Sequence, residues 1–381
     1  MPPSTEKDAQ LEILTRVDEI VKGRAKTTQP ITLSTPIPVL DYSDIVVGKE
    51  IGAGSFSCAY EIKSIGQKTI QDRQYIMKKL SRKVVSNPLL FVACAADLQN
   101  EGRILAAVHH ANVIQLRGWS GPDMIDDYFA HDQKEKCYLI MDRLDENMEH
   151  KLQRWKENKP SMWNLPSKRK QLEEELKQEK YTSILHLARG LEHLHTHNVL
   201  HRDLKPGNIG FDATGTLKIF DFDLARVLPK TSEDDKDATF QLTAKVGSPR
   251  YMAPEVVGGE FYNLKADVYS FGLLTYQILT GKTPFKGLQY DWSKSNSKIP
   301  KAWNKGDTRL VLERCQSANH KDRPSMAICV KELELVILTT EKDDEATLED
   351  PFGLGGMCGV GAVCGVALDD FNEMLGCATG D

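Results

Sequence analysis

The chain has 381 residues, 27% charged and 40% hydrophobic, enough for one large domain with tails. Its 49 Lys and Arg against 54 Asp and Glu leave a net charge of −5, which excludes a general affinity for nucleic acid. Eight scattered cysteines without a CxxC pair, and acids among the first ten residues, argue against a disulfide scaffold and against a signal or transit peptide. A cytoplasmic setting is expected.

Leu11, Leu14, Val17 and Val21 stand at helical spacing before Pro30 and predict a short amphipathic helix in an N-terminal tail, residues 1–40. Ile51-Gly52-Ala53-Gly54-Ser55-Phe56-Ser57 reads as strand, turn and strand, with Gly52 and Gly54 open to close approach by a ligand. Alone, that stretch is better explained by a plain hairpin turn. Tyr75-Ile76-Met77-Lys78 predicts a short strand on which Lys78 and Lys79 face opposite ways. Glu101 and Leu105 then share one face of a helix, with Asp97 one turn earlier as a rival carboxylate. Polar residues 120–136 predict a connecting loop, and Tyr138–Leu144 an apolar strand. Residues 156–180, with Lys168, Arg169 and Lys170 followed by Glu173, Glu174 and Glu175, predict a charged, solvated helix. Leu187, Leu191 and Leu194 mark a core helix, so His193, His195 and His197 read as surface or capping residues rather than a metal site.

Residues 201–208, His-Arg-Asp-Leu-Lys-Pro-Gly-Asn, carry the chemistry. Asp203, Lys205 and Asn208 put a base, a cation and a metal ligand on one short loop, the set that phosphoryl transfer from ATP to a hydroxyl requires. A strand at Thr216–Phe220 leads into Asp221-Phe222-Asp223. Gly247-Ser248-Pro249-Arg250-Tyr251-Met252-Ala253-Pro254-Glu255, Asp267–Gly272 and Asp322-Arg323-Pro324-Ser325-Met326 follow. Phe352–Leu368 is uncharged and glycine-rich, and acidic residues flank both ends; a disordered tail over 339–381 is expected, and no membrane segment.

In this order the motifs resemble the eukaryotic-type protein kinases, over residues 41–338. The resemblance implies an α+β, two-lobed fold. A small antiparallel N-lobe with one key helix (41–141) precedes a larger, mainly helical C-lobe (142–338). It implies that Asp203 is the base, that Lys205 sits against the γ-phosphate, and that Lys78, paired with Glu101, bridges the α- and β-phosphates. Asn208 and Asp221 become ligands of Mg²⁺. Ile51, Gly52, Gly54, Ala59, Ile76 and the gatekeeper Met141 surround ATP, and the backbones of Asp142 and Leu144 hold the adenine edge. Glu255 is expected to form a buried bidentate bridge with Arg323.

Lys205 and the Gly247–Glu255 run are similar to Ser/Thr kinases, and Tyr-Ser-Phe-Gly and Arg-Pro-Ser-Met to the tyrosine-kinase-like group. Protein substrates and an upstream activating kinase are the implied partners, the latter acting among Thr231, Ser232, Thr239 and Thr243, with Thr243 favoured. The acidic Glu233-Asp234-Asp235 disfavours Ser232. The alternative is a catalytically silent ATP-binding scaffold, although Lys78, Asp203 and Asp221 are all retained. The departures from the family are Ser57 for a glycine, the exchanged sizes at Ala59 and Ile76, and Gly210 where a bulky residue lies beneath the adenine. Asp223 stands where the family has glycine. A looser adenine floor is expected from Gly210, and a restricted Phe222 from Asp223.

Overall fold

The computed structural model describes residues 37–66, 68–69, 74–125, 137–158, 165–230, 237–285 and 308–335. The helix expected near the N-terminus, the C-terminal tail, Thr231, Ser232 and the acidic run after them lie outside the described residues.

The first half of the chain builds an antiparallel sheet from β1 (Ile45–Ala53), β2 (Ser57–Ile65), β3 (Tyr75–Leu80), β4 (Leu116–Trp119) and β5 (Tyr138–Asp142), in the order β1-β2-β3-β5-β4. Lys68–Thr69 adds a short rung to β2. Strand alternation separates the faces of β3: Met77 packs with Ile45, Ile62, Tyr138 and Ile140 on one side, leaving Ile76 and Lys78 on the other. Lys79 turns away as expected, its Nζ 2.9 Å from the Tyr42 hydroxyl.

After the one-turn α1 (Arg82–Val85), α2 (Pro88–Ala107) starts at Asn87, whose side chain accepts from the Leu90 N–H, with Pro88 in the first helical position. Phe91, Ala95, Leu98 and Leu105 bury its inner face. Gly102 sets how close α2 lies on the sheet. A Cβ there would stand 2.8 Å from Leu139 and 2.9 Å from Trp119, so glycine allows the approach that carries Glu101 to Lys78.

The second half is mainly helical: α3 (Met148–Glu157), α4 (Pro166–Thr196), α5 (Pro254–Gly258), α6 (Lys265–Thr280), α7 (Thr308–Cys315) and α8 (326–335). The charged helix expected over 156–180 is not separate. Its described part from Pro166 onward is the exposed first half of the 31-residue α4, with Arg169–Glu173 and Lys177–Glu174 pairs at 2.9 and 2.8 Å. The second half of α4 is core, through Ile184, Leu187, Leu191 and Leu194. Residues 120–125 also differ from a purely polar loop, because Met124 and Ile125 are buried there.

The three histidines at the end of α4 do not converge on one point, although the His193 and His197 rings lie 4.5 Å apart. His193 stacks on His110 at 4.9 Å, His195 Nε2 lies 3.3 Å from Asp267, and His197 is the C-cap. Burial, with His197, His110 and His109 nearby, pulls His193 down to about 4. Short strands β6 (Glu146–Asn147), β7 (Val199–Leu200), β8 (Ile209–Phe211), β9 (Leu217–Ile219) and β10 (Arg226–Val227) pair as β9-β8-β6 and β10-β7, and hold the loops between them. The architecture is the two-lobed α+β arrangement.

Candidate active site

Lys78 is the hub. It is 8% exposed, and its Nζ lies 2.7 Å from Glu101 Oε2, 3.0 Å from Asp221 Oδ1 and 2.8 Å from Asp223 Oδ1. Strand β3 delivers the lysine, α2 the glutamate, and the turn after β9 the two aspartates. Asp97, the rival carboxylate, instead lies 3.5 Å from Arg226. Burial works against the Lys78 charge, yet the carboxylates of Asp221, Asp223 and Glu101 outweigh it and hold the ammonium well above its ordinary range. Glu101 is fully buried; burial raises its carboxyl, Lys78 lowers it, and the neighbouring aspartates raise it further, the net direction being up. For Asp221, burial is outweighed by Lys78 and the carboxyl is lowered. Asp221 also takes a positive φ of 67°, an uncommon backbone for a residue with a Cβ and one found mostly where surroundings enforce it.

The other oxygen of Glu101 accepts from the Phe222 N–H at 3.1 Å. Phe222 is fully buried against His201, ring to ring at 4.9 Å. The Asp223–Lys78 contact therefore ties down the same turn that buries Phe222. Sequence reading had marked Asp223 as a departure but supplied no partner for it.

Below, α6 supports the catalytic loop. Asp267 accepts the N–H groups of His201 at 2.8 Å and Arg202 at 3.0 Å. Burial alone would raise its carboxyl, but His195 and these bonds outweigh that and keep it lowered. The loop itself converges on Asp203. Oδ2 accepts from Lys205 Nζ at 2.7 Å and from Asn208 Nδ2 at 2.9 Å, while the buried Oδ1 has no hydrogen-bond partner. That leaves Asp203 Oδ1 as an acceptor not used by the loop itself.

Across the sheet Ala59 pairs with Lys78, and Ile76 with Met141. Arg143 N–H to Gln74 O at 2.8 Å and Asp145 N–H to Phe211 O at 2.8 Å fix the backbone on either side of Leu144. Asp142 turns its carboxylate out to a bidentate pair with Arg117 at 2.7 and 2.9 Å. A Cβ at Gly52 would meet nothing closer than Ala59 Cβ at 3.8 Å. Packing within the fold therefore leaves room for a side chain there. At Gly210, where a looser floor is expected from sequence, a Cβ would lie 2.5 Å from Leu144 Cδ1, so the Leu144 side chain takes the space beside the glycine. This exchange was invisible in sequence because the two positions are 66 residues apart and neither is unusual alone.

Asp221 and Asn208 offer hard oxygen donors, the chemistry Mg²⁺ prefers. Among the described residues, no helix is long and apolar enough to cross a membrane. Residues 45–333 match the protein kinase domain family. A probable serine/threonine-protein kinase of Dictyostelium discoideum is 29% identical over 68% of this chain and 17% of its own length. The ribosomal protein S6 kinase 2 alpha of Xenopus laevis is 31% identical over 65% and 28%, and the serine/threonine-protein kinase STK11 of Gallus gallus 30% over 64% and 47%. The chain thus spans less than half the length of each of these relatives. With its motifs in register on a two-lobed fold, and with the family match covering residues 45–333, the chain belongs to the protein kinase domain family.

Proposed function

We propose that the chain is a serine/threonine protein kinase that transfers the γ-phosphoryl group of ATP to protein hydroxyls in a cytoplasmic setting. The reading rests on Asp203, whose Oδ2 is anchored by Lys205 and Asn208 while Oδ1 stays open. The names of the relatives and the Lys205 position support serine and threonine as acceptors. Similarity to the tyrosine-kinase-like group is part of the same proposal.

Asp203 orients and deprotonates the acceptor hydroxyl, and Lys205 swings from Asp203 to the transferring phosphate. Lys78, held by Glu101, meets the α- and β-phosphates, and the bare Gly52–Gly54 turn covers them. Ile51, Ala59, Ile76 and Met141 enclose the base, with the Asp142 and Leu144 backbones at its edge. Asn208 and Asp221 would hold Mg²⁺, which when bound neutralises phosphate charge. The test is phosphate transfer from MgATP to a generic basic protein, followed by phosphoamino-acid analysis. Nucleotide binding without transfer would favour the silent scaffold instead.

Ile76→Ala removes an aliphatic wall of the base pocket and is expected to weaken ATP binding by about 1–3 kcal/mol. Isothermal titration calorimetry measures this directly, and unchanged or tighter binding means that Ile76 does not touch the base.

Control by an upstream kinase has a ready receptor. Thr243 is exposed, its carbonyl accepts from Tyr262 Oη at 2.9 Å, and Tyr262 Oη in turn accepts from Arg202 at 3.3 Å. A phosphate on Thr243 would find Arg202 within one side chain's reach. The Thr239→Ala/Thr243→Ala variant is expected to lose most activity, and full activity refutes control at these residues.

The fully buried Phe222 and the Asp223–Lys78 pair predict weak binding of inhibitors that need Phe222 swung outward. Their affinity should rise in Asp223→Gly, which frees the backbone and removes the tie. Equal affinities for the two proteins would show that Asp223 does not govern this turn.

A further inference from the structure

We propose that Asp223 is a positioning residue that makes nucleotide binding depend on a divalent cation, by occupying the donor of Lys78 that a phosphate would otherwise take. The inference rests on the kinase reading above and deepens it.

An ammonium has three N–H donors and no acceptor. In Lys78 three carboxylates lie within reach of them: Glu101 at 2.7 Å, Asp221 at 3.0 Å and Asp223 at 2.8 Å. No donor is left over for a phosphate oxygen. With glycine at 223, the residue of the family pattern, one of the three would be free. Glu101 cannot readily let go, being fully buried and tied through its other oxygen to the Phe222 N–H at 3.1 Å. The partners that can release Lys78 are the two aspartates, whose side chains are 33% and 30% exposed.

Charge points the same way. Three carboxylates gathered around one ammonium leave excess negative charge where a polyphosphate must bind. A divalent cation supplies two positive charges and gives the aspartates another partner, so Lys78 can turn to the phosphates. Without the cation, the phosphates must displace Asp223 and face its repulsion. Backbone geometry is not the cause, since Asp223 is absent from the residues with positive φ and alanine can adopt its conformation.

The experiment measures the ATP dissociation constant of the full chain by calorimetry, in EDTA and at saturating Mg²⁺, for wild type, Asp223→Ala and Asp223→Gly. Asp223→Ala keeps the Cβ and removes the carboxylate, and Asp223→Gly restores the family residue. In EDTA both variants are expected to bind ATP roughly tenfold more tightly than wild type, the scale of one charge-assisted hydrogen bond. At saturating Mg²⁺ the three proteins should differ far less, so the gain from Mg²⁺ shrinks in both variants. Equal metal-free affinity of wild type and Asp223→Ala overturns the proposal. A gain in Asp223→Gly alone also overturns it, by assigning the effect to backbone freedom. Absence of ATP binding by wild type and both variants even with Mg²⁺ overturns the kinase reading itself, and this inference with it.

Discussion

Asp203→Asn is expected to lower turnover by roughly 10²- to 10⁴-fold, the range for loss of a general base, while ATP affinity stays nearly intact. The local geometry favours a folded, inactive protein. Lys205 Nζ and Asn208 Nδ2 both donate to Asp203 Oδ2, so the amide oxygen of an asparagine must take that place. Its NH₂ group then falls where Oδ1 now stands open, converting the acceptor for a hydroxyl proton into a donor. The proposed nucleotide contacts of Lys78 and Asp221 lie on other segments, and Asn208 keeps an acceptor in the amide oxygen. The check is kcat at saturating ATP against the ATP dissociation constant by calorimetry. A loss of affinity as large as the loss of turnover would sink this division of roles.

Removing the arginine of the Glu255–Arg323 bridge is expected to destabilise the domain by about 3–5 kcal/mol, as for other buried pairs deprived of one partner. Arg323 is 1% exposed, and its donors are fully used. Two reach Glu255 at 2.6 and 2.8 Å, and the others reach the carbonyls of Ser317, Lys265 and Ala318. Arg323→Ala would leave a carboxylate and three carbonyls without these partners, with no route for water to replace them. The melting temperature should fall by roughly 10 °C for a domain of this size. Arg323→Lys should recover only part of this, because a point charge cannot reproduce the planar fork. A Glu255→Ala/Arg323→Ala cycle isolates the pair itself. A loss below about 1 kcal/mol in Arg323→Ala would place the bridge among weak surface pairs.

Local pattern made much of this legible. Alternation in β3 separated Lys78 from Lys79, and leucine spacing placed the core half of α4 before any fold was known. Order and spacing of the motifs pointed to Asp203, Lys205, Asn208 and Asp221 as the proposed site residues, because a reaction that works by positioning needs particular groups at fixed separations. The charged stretch is solvated as its composition implies, but it forms the first half of α4 rather than a separate helix, since surface charge does not mark where a helix ends.

Pairing across the fold was the part that sequence left open. Asp97 and Glu101 stand one turn apart on the same face of α2, and only the position of β3 and β10 sends one to Lys78 and the other to Arg226. Leu144 covers Gly210, and Asp223 reaches Lys78, through contacts between residues 66 and 145 positions apart. The sequence by itself determined the fold class and the chemical groups of the site, because motif spacing and periodicity are local properties of the chain. Tertiary structure alone decided which carboxylates share one lysine and which side chain lies against Gly210, because burial and partner choice arise only when distant segments exclude water together.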